Sequence, residues 1–316
     1  EKGDIISFTA DTNSLNSFLN EINIIKIPLK NIMIVGGSKI AHYLVNELNG
    51  KKYDIKIIPM TITLGKDQYT DGVDVDSEKI YEYYNKTKQL PKTSAVNAYQ
   101  FSEVFEKYVN EGYSVVCFTI SSDMSSTFNN ARLAAAEFED VHVVDTKNLS
   151  TGGGLLVLKA CELREAGKSA SEIAEACREL TDYVDASFVI DNLEFLHKGG
   201  RCNAVTVFAA NLLKMKPCIM VRNSKMGVGK KYRGTFEMSL KKYIQDQFED
   251  INSIDLDNVF VTHAGCDESI VNMCVEKVKE LAPVKNLHIT RAGCTVSSHC
   301  GRNTLGVLFI RKNKLV

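Results

Sequence analysis

No apolar run in this sequence approaches the ~20 residues that a bilayer-crossing helix needs. Segments such as Asn31 to Val35, Val115 to Ile120 and Val205 to Leu213 are the size of strands or buried helices, so no membrane span is expected. An excess of one charge is also missing. With 38 Lys and Arg against 39 Asp and Glu, there is no global field to hold nucleic acid or an anionic membrane. No C-x-x-C pair occurs among the nine cysteines, which are odd in number and scattered from Cys117 to Cys300. That pattern argues against a disulfide framework and against structural zinc. Most sit in apolar surroundings such as Val116-Cys117-Phe118 and are expected as buried free thiols, small hydrophobes without a redox role. The chain opens without a basic stretch leading into an apolar one, so no secretory leader is expected and a cytoplasmic location is.

What is present is apolar residue enough for two packed cores: 316 residues, 44% of them hydrophobic. Asn31 to Val35, the Gly36-Gly37 turn, an amphipathic stretch from Lys39 to Leu48 and Tyr53 to Ile58 read as a β-α-β unit. A further strand from Met60 to Leu64 and a polar loop with Asp71, Asp74 and Asp76 precede a helix starting near Ser77. Helix and strand then alternate to about residue 166, the pattern of a parallel sheet with covering helices. Beyond it the texture changes. A Gly-Gly turn at 199 and 200, a long apolar helix from Ala204, strand Pro217 to Arg222, a lysine-rich loop and strands ending at Arg291 and Arg311 follow. The expected fold class is α/β with two lobes divided near residue 165: an N-terminal Rossmann-like parallel sheet, and a C-terminal α+β lobe with a partly antiparallel sheet.

Three hydroxyl clusters fall at strand ends or helix starts: Thr93 and Ser94; Ser121, Ser122, Ser125, Ser126 and Thr127; Ser150 and Thr151. Singly, each suits a helix N-cap. Carboxyl ends of parallel strands gather on one edge, so the three are expected to converge as donors for a carboxylate or phosphate. Arg201, after Gly199-Gly200, and His299, in the loop Ser297 to Gly301, are expected to join them. His263 reads as a satisfied core histidine. A nucleophilic serine with His299 as base would make a hydrolase, yet no G-x-S-x-G elbow is present. Gly36-Gly37-Ser38-Lys39-Ile40-Ala41 lacks both later glycines of a dinucleotide loop, and no acid closes the next strand.

From Ile58 onward several motifs in order resemble the DegV family. They are Pro59-Met60-Thr61-Ile62, the loop Asp71-Gly72-Val73-Asp74, Lys92-Thr93-Ser94, Ile120 to Thr127, Asp145-Thr146-Lys147, Leu193 to Arg201, Lys216-Pro217, Arg233-Gly234, His263-Ala264 and Ser298 to Gly301. The resemblance implies a lobe at 58–165 and a C-terminal lobe at 166–316 that buries an acyl chain, with no cofactor. It further implies a long-chain fatty acid whose carboxylate lies near Thr93, Ser94, Ser125, His299 and Arg201. The bound acid would be handed to a separate ATP-dependent fatty acid kinase subunit that makes the acyl-phosphate, with Arg233 facing that partner. The protein itself would be no enzyme. Residues 1–57 resemble instead the nucleotide-binding regulatory segment of TrkA-type potassium uptake proteins, completing the first lobe. A nucleotide-sensing module of potassium uptake and a stand-alone Ser/His hydrolase are the rival functions. Val205 to Leu213, Phe188, Val189, Ile190, Leu193, Phe195 and Leu196 are expected near the acyl tunnel. A ligand carboxylate beside His299 is expected to favour its charged form, so that binding tightens as pH falls.

Overall fold

In this computed structural model, residues 31–35, 54–202 and 215–315 are described. The first half runs β1 (Asn31–Val35), β2 (Asp54–Ile58), β3 (Thr61–Leu64), β4 (Asp67–Thr70), α1 (Ser77–Thr87), β5 (Lys92–Ser94) and α2 (Ala98–Asn110). It continues with β6 (Val115–Thr119), α3 (Thr127–Ala135), β7 (Val141–Asp145), α4 (Thr151–Glu165) and α5 (Ala170–Leu180). The second half adds β8 (Val184–Ile190), α6 (Glu194–Gly199), β9 (Met215–Arg222), β10 (Lys225–Arg233) and α7 (Phe236–Gln247). It closes with β11 (Ile254–His263), α8 (Glu268–Leu281), β12 (Asn286–Arg291), α9 (Cys294–Cys300) and β13 (Thr304–Arg311).

The short Val- and Ile-rich strands form a four-stranded parallel sheet in the order β2-β1-β6-β7. All five residues of β6 are buried, as a strand covered on both faces requires. The larger sheet has six strands, ordered β10-β9-β8-β13-β11-β12. It is antiparallel except for the pairing of β11 with β12, which α8 crosses over. This is the mixed α/β architecture that the strand pattern implies. Between the sheets lies α4, and one apolar cluster joins Val116, Phe118 and Val144 of the parallel sheet through Leu155, Leu156 and Ala160 to Phe188, Ile219 and Leu308 of the other. On the far face of the mixed sheet a second cluster packs Leu240, Tyr243 and Ile244 of α7 and Cys274, Val275 and Val278 of α8.

Several expectations are corrected. The lysine-rich loop is the edge strand β10, whose lysines point outward while Tyr232 is buried; lysines on an edge also discourage pairing with another chain. His299 is not on a loop but in the last turn of α9. The Gly-Gly turn is the end of α6, where Gly200 takes the left-handed conformation (φ 67°) that terminates a helix. A small antiparallel sheet, β4-β3-β5, stands beside the parallel one, and neither β4 nor β5 announces itself by alternation. The dinucleotide-like turn at Gly36, the helix Lys39 to Leu48 and the apolar segment Val205 to Leu213 lie outside the described residues.

Candidate functional site

The site is built from segments that are far apart in sequence. Strand β5 alternates exposed, half-buried, exposed across Lys92, Thr93 and Ser94, so only Thr93 faces inward. Its Oγ1 meets His299 Nε2 at 3.0 Å. After β6 the chain turns sharply: Met124 and Ser125 donate backbone amides to Ser121 O, and Ser121 Oγ donates to Ser224 O at 2.7 Å, tying this loop to the β9–β10 turn. Ser125 Oγ pairs with Thr127 Oγ1 at 2.8 Å at the start of α3. Arg201 follows the α6 cap and donates from Nη1 to Gly199 O at 2.9 Å.

Helix α9, which carries His299, is docked at its N-terminus by Asp71. This fully buried carboxylate accepts from the amides of Cys294 (2.8 Å) and Thr295 (2.9 Å) and from the Thr295 hydroxyl (2.7 Å). An anion at a helix N-terminus satisfies otherwise orphaned amides and meets the positive end of the helix dipole. The aspartate-glycine motif is thus a structural clamp for the histidine's helix. Its signal in the sequence was a motif without a role, because its partner is more than 200 residues away.

Thr93, Ser125, Arg201 and His299 line one cavity of ≈ 220 Å³ between the two sheets. The rest of its wall is mainly apolar, with Met60, Ile120, Met124, Leu149, Met226 and Val296. No Asp or Glu among the described residues lines it. Leu149, Val296 and Cys300 also border a smaller cavity of ≈ 30 Å³ under Phe188, Gly306 and Leu308, which prolongs the apolar space into the mixed sheet.

Burial, helped by the charge of Arg201, pushes the His299 imidazole down to about 4, so it is neutral near pH 7. These two effects oppose protonation until well below the ordinary histidine range, so any tightening of binding through a charged His299 is expected toward pH 4 rather than near 6.5. Burial, with Arg291, likewise holds His263 at about 4. His263 Nδ1 accepts the Cys266 amide at 3.2 Å, and the residue is half-buried at the edge of the smaller cavity rather than in the core. All nine cysteines are free and buried. No cluster of metal-ligating side chains occurs among the described residues.

The cavity leaves out other expected members. Ser94 is exposed and on the outer face of β5. The third hydroxyl cluster does not converge: Thr151 bonds Thr262 Oγ1 at 2.7 Å, and Ser150 borders only the smaller cavity. Of the expected tunnel residues, Phe188 reaches the smaller cavity. Val189 packs on the opposite face of the mixed sheet, Ile190, Leu193 and Leu196 in the shared core, and Phe195 against Tyr81 and Tyr84. Arg233 is exposed at the end of β10, outside the cavity lining.

The hydroxyls of Thr93, Ser125, Ser126 and Thr295, with His299 and the Arg201 guanidinium, share a mainly apolar cavity that no described Asp or Glu lines, a lining that can receive a single anionic group attached to an apolar body. A Ser125–His299 pair is not assembled, since His299 bonds Thr93 and Ser125 bonds Thr127. Fold and cavity together define an α/β protein with a mainly apolar pocket that hydroxyls, His299 and Arg201 help to line. Residues 43–312 match the family described as "Uncharacterised protein, DegV family", and the chain belongs to the DegV family. The match begins inside the segment that resembles TrkA-type proteins. A DegV domain-containing protein of Clostridium acetobutylicum is 33% identical over 264 residues, covering 83% of this chain and 92% of the relative. A Thermus thermophilus DegV family protein whose structure concerns fatty acid binding superposes with TM-score 0.80 at 24% identity, over 89% of this chain and 99% of that one. A Thermotoga maritima protein described as revealing a fatty acid binding function superposes with TM-score 0.73 at 25% identity, over 90% and 99%.

Proposed function

We propose that this protein binds one long-chain fatty acid, with the carboxylate at Thr93, Ser125 and Arg201 and the acyl chain along Met60, Met124, Leu149 and Val296 toward the smaller cavity. The observation that carries the reading is that hydroxyls and one arginine share a mainly apolar cavity that no described acidic residue lines. The binding function described for the Thermotoga maritima neighbour supports it. Each buried methylene contributes ~0.8 kcal/mol, so a chain of about fifteen supplies on the order of 12 kcal/mol gross, more than the several kcal/mol that desolvating a hydrogen-bonded carboxylate costs. The tail then provides affinity and the polar end fixes register.

We infer further that the bound acid is presented, in the cytoplasm, to a separate ATP-dependent fatty acid kinase subunit, which phosphorylates the carboxylate; this follows from the family resemblance. Exposed Arg233 is the residue offered to that partner. The division into an N-terminal lobe of 58–165, completed by 1–57, and a C-terminal lobe of 166–316 belongs to the same proposal, with the head group near the boundary and the acyl chain running from it toward Phe188, Gly306 and Leu308 of the second lobe. Native mass spectrometry of the purified chain tests the ligand: a mass increment matching a fatty acid is expected. A nucleotide increment, or no increment even after incubation with oleic acid, would overturn the reading.

A further inference from the structure

Gly199 and Gly200 end α6 side by side, and they are glycines for different reasons. Gly200 has φ 67°, a conformation that favours glycine at a helix end. Gly199 lies within the helix, without a positive φ, so its backbone would accept alanine, the better helix former. What excludes a side chain there is His299: a Cβ on Gly199 would stand 2.7 Å from the imidazole Nδ1. That nitrogen is buried and has no hydrogen-bond partner among the described residues.

Resting on the fatty-acid reading above, we propose that Gly199 is a positioning residue: its bare backbone seats the His299 ring so that Nε2 carries the proton and donates to Thr93, freeing the Thr93 hydroxyl to donate to the ligand carboxylate. The tautomer follows from the surroundings of Nδ1. A buried N–H with no acceptor is costlier than a buried lone pair with no donor, so Nδ1 is the bare nitrogen. With Nε2–H given to Thr93 Oγ1, the hydroxyl proton of Thr93 has no call on the histidine and points to the cavity. Adding a methyl group at Gly199 drives the ring from its seat, breaks the Thr93 contact and leaves the hydroxyl unoriented.

Two measurements on the full chain test this. Nitrogen-15 histidine spectra of the ligand-free protein should show His299 in the Nε2–H form, with its resonances displaced in Gly199→Ala. Displacement of a fluorescent fatty acid by oleic acid should show Gly199→Ala weakening binding about tenfold, the loss of one good hydrogen bond. In the His299→Ala background the same change should cost less than about twofold, because contacting residues are not additive. An Nδ1–H tautomer in the parent, or an equal loss in both backgrounds, would overturn the assignment. So would unchanged affinity in Gly199→Ala. A parent chain that binds no fatty acid would overturn the proposed function instead, while the tautomer measurement would still decide the seat of His299.

Discussion

Asp71 and Thr295 are joined twice across 224 residues: Asp71 Oδ2 accepts both the Thr295 backbone amide at 2.9 Å and its hydroxyl at 2.7 Å. Replacing Asp71 with Ala leaves a helix N-terminus and a hydroxyl buried without partners, a loss of roughly 2–4 kcal/mol in folding stability. Fatty acid affinity should fall with it, since α9 carries His299. Urea denaturation together with ligand titration checks this. Stability within about 0.5 kcal/mol of the parent would show that α9 docks without the aspartate.

Ser125 is half-buried and held by Thr127, with little packing to lose. Ser125→Ala should therefore weaken fatty acid binding by roughly 1.5–3 kcal/mol, the worth of a hydrogen bond to a charged group, with the melting temperature nearly unchanged. Calorimetric titration with oleic acid is the measurement. An unaltered dissociation constant would remove Ser125 from the head-group site.

His263 and His299 both have folded-state values of about 4, below the ordinary 6.5, so between those limits the unfolded chain binds more protons than the folded one. Their contribution to stability is complete above about pH 6.5 and is lost as pH falls toward 4. Urea midpoints measured from pH 7.5 downward should drop in that window, and His299→Ala should drop less steeply. Parallel curves for parent and variant would refute the burial effect at His299.

Since His299 bonds Thr93 and Ser125 bonds Thr127, Ser125 and His299 do not form the nucleophile–base pair that ester cleavage by the serine needs. No hydrolysis of p-nitrophenyl esters is expected from the parent. An activity present in the parent and abolished in His299→Ala would reinstate the hydrolase alternative.

Burial raises the thiols of Cys161, Cys177, Cys218, Cys266, Cys274 and Cys300 to about 12 and pushes Cys117 and Cys294 up as well. A chromogenic disulfide reagent should react slowly with the native protein and with nine thiols after denaturation. Rapid reaction of several thiols in the native state would contradict their burial.

The last strands were readable in advance: β12 and β13 end at Arg291 and Arg311, where the sequence pattern ends them. Strand β4 has no apolar alternation in Asp67-Gln68-Tyr69-Thr70, and β10 is masked by its lysines, so both needed their partners to be seen. Helix α7 went unmarked although Phe236, Leu240, Tyr243 and Ile244 give it a buried stripe and Thr235 caps it. At the site, hydroxyls and basic residues stood out as residue types, and Thr93, Ser125, Arg201 and His299 do share a cavity. Ser94 was misplaced because a single step along a strand reverses the face. The apolar lining was misplaced for a different reason. Buried residues look alike in sequence whether they face a void or each other.

The contact of Thr93 with His299 spans 206 residues, and Asp71 reaches farther still. During synthesis, then, the pocket cannot close until nearly the whole chain has left the ribosome. A truncated or stalled product that keeps the parallel sheet but lacks α9 would have neither His299 nor the wall that faces Met60, and so could not sequester lipid. Long-range closure of this kind slows folding, because the loop entropy must be spent before the contacts form. Lipid capture would accordingly select for finished chains, and a lipid that binds only the native form would hold them there.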